Sequence, residues 1–101
     1  MNGKRKKYRI ECKDASESSY IQNVLFNNGY MWQSGDKLVR EVLYLYIDAT
    51  DQIIALTYDP VKFNSSRSWT LINRQFFDAM FAEYLKAISC NKPKTQFEGV
   101  W

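Results

Sequence analysis

The residues that could do acid–base, nucleophilic or metal chemistry are few and scattered. The chain has no histidine, which removes imidazole catalysis, a Ser-His-Asp triad and any histidine metal site. Its two cysteines, Cys12 and Cys90, stand far apart and lack the paired spacing of a zinc or redox motif. They read as reduced thiols, one in a strand and one just past a helix. Asp48, Asp51 and Asp59 flank a hairpin and could offer oxygens to a hard cation of the magnesium kind. Nothing in the pattern brings them to one point, and acidic residues at hairpin ends are ordinary turn chemistry. Ser34-Gly35 and the polar cluster Asn64–Ser68 present backbone amides to an anion, but without a glycine-rich phosphate loop. The expectation is a protein that is not an enzyme, with no catalytic residue, no metal site and no cofactor.

Binding chemistry is better represented. Aromatic residues make up 16% of the chain. Tyr44 and Tyr46 lie two apart in an extended run, so their rings leave the same sheet face. Such a pair stacks nucleobases in RNA-recognition and cold-shock modules, covers a helix, or anchors a protein partner. Base-stacking modules place basic groups beside the rings, whereas here the neighbours are Asp48 and Asp51. Phe97 and Trp101 belong to an irregular C-terminal tail, residues 90–101, and have no obvious core position; tryptophan is enriched at binding hot spots. Tyr44, Tyr46, Phe97 and Trp101 are therefore the candidate partner-binding residues.

The charge is uneven. Residues 1–13 carry six basic and one acidic side chain, residues 14–101 eight basic and ten acidic. The excess belongs to a basic N-terminal arm, residues 1–7, which reads as a solvated tail and equally suits phosphates or an acidic protein surface. In the alternative reading, a small nucleic-acid-binding module, Lys4, Arg5, Lys6, Lys7 and Arg9 would contact the nucleic acid beside the sheet tyrosines.

The elements that must position these residues follow from periodicity. Tyr8, Ile10 and Cys12 alternate with Arg9, Glu11 and Lys13, predicting a strand over 7–13. Asp14-Ala15-Ser16-Glu17 has capping-box spacing, and Tyr20, Ile21, Val24 and Leu25 then form a helical stripe that Asn27-Asn28-Gly29 stops. Tyr30–Trp32 predicts a short extended segment before a turn at Gln33–Asp36. Val42–Ile47 reads as a central strand, Asp48–Asp51 as a hairpin connection and Gln52–Tyr58 as its partner, ended by Asp59-Pro60. Residues 59–67 read as irregular, Trp69–Leu71 as a short edge strand, and Asn73 as the cap of a second helix. Phe76, Phe77, Met80, Phe81, Tyr84, Leu85 and Ile88 make that helix amphipathic. Seven apolar positions are generous for one helix, which leaves part of the stripe for a partner or a homodimer contact. The predicted fold is α+β, an antiparallel sheet of four to five strands with two helices in the order βαβββ(β)α.

At 101 residues the chain is one domain. No apolar run reaches the ~18 residues a membrane helix needs, and no apolar h-region follows the basic N-terminus. A cytoplasmic setting without a membrane partner is expected. The helix ending in Asn27-Asn28-Gly29-Tyr30, the Trp32-x-Ser34-Gly35 turn, Leu45-Tyr46-Ile47-Asp48, and Trp69-Thr70-Leu71 before a helix together resemble small accessory proteins encoded by bacteriophages. The resemblance covers roughly residues 8–80. It implies a class of non-enzymatic proteins, including anti-CRISPR and other anti-defence inhibitors, that bind and disable a host protein or defence complex in the host cytoplasm. With a sequence pI near 8.9 this chain departs from the acidic inhibitors that mimic DNA.

Overall fold

The first strand and helix form where the periodicity places them. In the computed structural model, which describes residues 6–88, β1 spans Lys7–Glu11 and α1 spans Ala15–Asn27. The Asp14 carboxylate accepts the Glu17 N–H at 2.8 Å. Glu17 reaches back to accept the Lys13 N–H at 2.8 Å, one residue ahead of the usual capping-box partner. At the far end the Gly29 N–H bonds the Phe26 carbonyl at 3.2 Å and the Tyr30 N–H bonds that of Leu25 at 3.0 Å. These are the two bonds of a Schellman stop, and they require Gly29 at φ +93°. A side chain at this φ is strained, even though its Cβ would meet nothing closer than the Gln52 amide at 3.4 Å, an ordinary contact. Gly29→Val is expected to destabilise the domain by about 1–3 kcal/mol, measured as a shift of the urea midpoint at constant slope.

The remaining strands are β2 (Met31–Trp32), β3 (Tyr44–Asp48), β4 (Ile53–Thr57) and β5 (Thr70–Ile72), joined by α2 (Pro60–Asn64) and followed by α3 (Arg74–Met80). After a turn at Phe81, residues 82–88 are helical again and form α4. The sheet has five strands in the order β2-β4-β3-β1-β5. It is mixed, which corrects the expected antiparallel arrangement. β1 pairs antiparallel to β3, and β3 antiparallel to β4 through the hairpin at residues 49–52. β5 runs parallel to β1, and β2 parallel to β4. The reason is connectivity: α1 between β1 and β2, and α2 between β4 and β5, each carry the chain across to the end of the sheet where the earlier strand began, so the next strand enters in the same direction. Only β3 runs the other way.

The helix count and order also differ from expectation. The segment over 59–67 is not irregular throughout, because Asp59 caps α2 by accepting the Val61 N–H and Pro60 occupies the first helical turn. Proline ends β4 and starts a helix at the same point. The apolar stripe after Asn73 breaks at Phe81 into two helices; Asn73 caps the first by accepting the Phe76 N–H at 2.8 Å.

The main core lies between the sheet and α1 with α3. Ile10, Leu45, Ile47 and Ile54 from the strands meet Ile21, Val24 and Leu25 from α1 and Phe77 from α3. Phe77 sits edge-on to Tyr20 and close to Phe81. The opposite face bears Arg9, Tyr44 and Tyr46, and Phe63 of α2 covers it. Cys12 closes the core next to α1. Burial pushes its thiol up to about 11, with Glu17, Asp14 and Glu11 adding to the shift against a hydrogen bond from Ser18. The folded state therefore holds the proton longer than the unfolded chain, and stability falls as pH rises from about 9 towards about 11. In a Cys90→Ser background, Ellman's reagent at pH 8 is expected to leave Cys12 unmodified until denaturant is added.

Candidate partner-binding groove

Three distant segments meet where β3 begins, β4 ends and α1 starts. Tyr44 and Thr57 are cross-strand neighbours, so Leu43 and Tyr58 flank the open end of the hairpin. The Cys12 N–H bonds the Leu43 carbonyl at 2.8 Å and ties the approach to α1 against the same point. The loop over 33–43 reaches it under control of two buried polar side chains on α1. Gln22 accepts the Arg40 N–H at 2.8 Å and donates to the Arg40 carbonyl at 2.8 Å. Ser18 donates to the Val42 carbonyl and receives a bond from Gln22 at 2.9 Å. Both side chains are almost fully buried, so the loop backbone is read out in a dry environment where such bonds matter most.

The result is a groove of about 380 Å³ lined by Asp14, Ala15, Glu41, Val42, Leu43, Tyr44 and Tyr58. This is within the usual ~300–1,000 Å³ of ligand clefts. Its walls are largely apolar. Tyr58 is 68% exposed, Leu43 38% and Val61, in the first turn of α2, 73%. Two carboxylates, Asp14 and Glu41, belong to the lining; Glu11 pairs across from Tyr44 in the sheet, and Asp59 follows Tyr58 in the chain. Lys13 beside Asp14, Arg40 beside Glu41, and Lys62 are the cations nearest in the chain. A second cavity, about 240 Å³, lies by Trp32, Gln33, Ser34, Arg40 and residues 54–56 and is more polar. There Arg40 stacks over Trp32 at 4.7 Å and pairs with Asp36 at 2.8 Å. Hydrogen bonds from Ser34 and the Leu38 N–H, with Arg40 beside it, hold the Asp36 carboxyl below its usual range.

The four expected anchors separate. Tyr44 is half-buried, with its ring 4.9 Å from that of Phe63, and it lines the groove. Tyr46 is 6% exposed, packed on Phe63 and Trp69, with its hydroxyl bonded to Ser66 at 2.8 Å. This corrects Tyr46 as a stacking or anchoring residue: α2 and the segment after it cover it, and its ring is not available for stacking. Phe97 and Trp101 lie outside the described residues.

The basic arm separates in the same way. Lys4 and Arg5 lie outside the described residues. Lys6 is bound into the hairpin, its carbonyl accepting the Ala49 N–H at 2.8 Å and its N–H donating to Thr50 at 3.2 Å. Lys7 begins β1 with its ammonium 5.0 Å from the Trp69 ring. Arg9 lies over the Phe63 ring and donates to the Trp69 carbonyl at 2.9 Å and the Phe63 carbonyl at 3.1 Å. Three of the five basic residues thus take part in the fold, Arg9 as the clamp that holds α2 on the sheet.

Asp48 accepts the Thr50 and Asp51 N–H groups in the hairpin, and Asp59 caps α2. Among the described residues no group of three metal-ligating side chains comes together, and no helix is long and apolar enough to cross a membrane. Sequence reasoning missed Glu41, Leu43 and Tyr58. The alternation that places Tyr58 beyond Ile54 and Leu56 at a strand end was the available signal for one of them. No protein-family model, no curated protein and no solved structure matches the chain.

Proposed function

We propose that the protein is a non-enzymatic phage accessory protein that binds a host protein or defence complex and inhibits it stoichiometrically. The observation that carries the binding part is the apolar groove framed by Leu43, Tyr44 and Tyr58, with Val61 exposed close by in the chain. Aromatic and aliphatic side chains held on a rigid sheet end, with part of their surface in water, have the composition of a protein-interface core. The phage and anti-defence part is supported by the resemblance of the Gly29, Ser34-Gly35, Leu45–Asp48 and Trp69–Leu71 motifs. The burial of Tyr46 and the engagement of Arg9 in the fold favour this reading over nucleic-acid binding. The test is affinity capture from bacterial lysate with the natural protein and with Tyr58→Ala and Leu43→Ala. A specific host protein that is retained by the first and lost, by tenfold or more, with either folded variant supports the reading. Equal capture by all three removes the groove from it.

A further inference from the structure

We infer that the groove takes a cationic amphipathic segment of the partner, in which one or two large apolar side chains enter between Ala15, Leu43, Tyr44 and Tyr58 while flanking lysines or arginines face the rim. This rests on the protein-binding reading above and adds the chemistry of the partner. The pocket's volume, about 380 Å³, and its apolar walls suit leucine- or phenylalanine-sized anchors. The rim supplies the charge selection. Glu11, Asp14, Glu41 and Asp59 gather at this end of a chain whose overall charge is +3. Lys13, Arg40 and Lys62 lie close to them in the chain, but Arg40 is paired with Asp36 at 2.8 Å, and no lysine or arginine joins Asp14 and Glu41 in the lining. Glu41 is exposed and has no ion pair among the described residues, so its charge is available to an incoming cation. Glu17, by contrast, is already committed to Arg74 at 3.3 Å. Complementary charge at a partly dehydrated rim steers encounter and fixes register, and like charge is rejected more strongly than complementary charge is rewarded.

The experiment uses three capped hexapeptides with the full-length protein: Lys-Arg-Leu-Phe-Lys-Arg, its counterpart with every cation replaced by glutamate, and its counterpart with Leu-Phe replaced by Ser-Ser. Binding is followed by amide chemical shifts and titration. The first peptide is expected to shift the amides of Ala15, Leu43, Tyr44 and Tyr58 and to bind at least tenfold more tightly than either counterpart. Glu41→Lys should weaken it about fivefold, Tyr58→Ala about tenfold or more, and Leu71→Ala on the far edge strand should leave it unchanged. Equal or tighter binding of the acidic peptide overturns the inference, as does binding of the Ser-Ser peptide equal to the first. Failure of the first peptide to shift the groove amides overturns it too. The two readings fail separately: if Tyr58→Ala abolishes capture of a host protein while the peptides show no charge preference, the binding function stands and the cationic segment falls.

Discussion

Replacing Phe63 by alanine is expected to destabilise the domain by about 3–5 kcal/mol, the usual cost of emptying a phenylalanine site. Phe63 is 1% exposed although it belongs to a helix of five residues. Its ring touches those of Tyr44 and Tyr46 and supports the Arg9 guanidinium at 5.2 Å. One side chain thus holds the second face of the sheet closed. Against a total stability of about 5–15 kcal/mol for a domain of this size, the loss is a large fraction. Urea denaturation at 25 °C reads it directly. A change below about 1 kcal/mol would mean that α2 does not cover this face and that Tyr46 is open after all.

Gln22→Leu is expected to cost about 2–3 kcal/mol even though it exchanges a buried polar group for an apolar one of similar size. Gln22 is fully buried and makes three bonds, two of them to the backbone of Arg40. Leucine fills the space but leaves the Arg40 N–H and carbonyl without their partner, and an unmet buried donor or acceptor costs more than the bond was worth. The effect should reach the groove, because the loop anchored at Arg40 carries Glu41, Val42 and Leu43. Hydrogen exchange at those amides should speed up in the variant while that of β1 and β3 follows only the global loss of stability. A variant as stable as the natural protein would show that the loop is held by something else.

What could be read from the sequence and what could not divides by range. The α1 cap at Asp14, its stop at Gly29, the Asn73 cap and the hairpin at Asp48 are set by residues within six positions of one another, and all appear in the structure. Strand direction was not legible, because it depends on whether a connection crosses the sheet or turns back. Pro60 concealed the second crossing: the residue that terminates β4 also starts α2, and five residues are too few to show a helical period. The error at Tyr46 followed, since its burial depends on Phe63 and Trp69, neither of which is its neighbour in the chain. The groove was hidden for the same reason: it joins residues 14–15, 41–44 and 58, and only the sheet brings them together.

In the proposed function the protein acts by occupying a partner rather than by turning over a substrate. A titration decides between the two: the activity of a captured host protein, at fixed concentration, is followed against added amounts of this chain. Occupancy gives a linear fall to an end point near one equivalent, shifted well to the right by Tyr58→Ala and unaffected by longer incubation. Inhibition that is complete at a small fraction of an equivalent, or that deepens steadily with time, means turnover instead of occupancy.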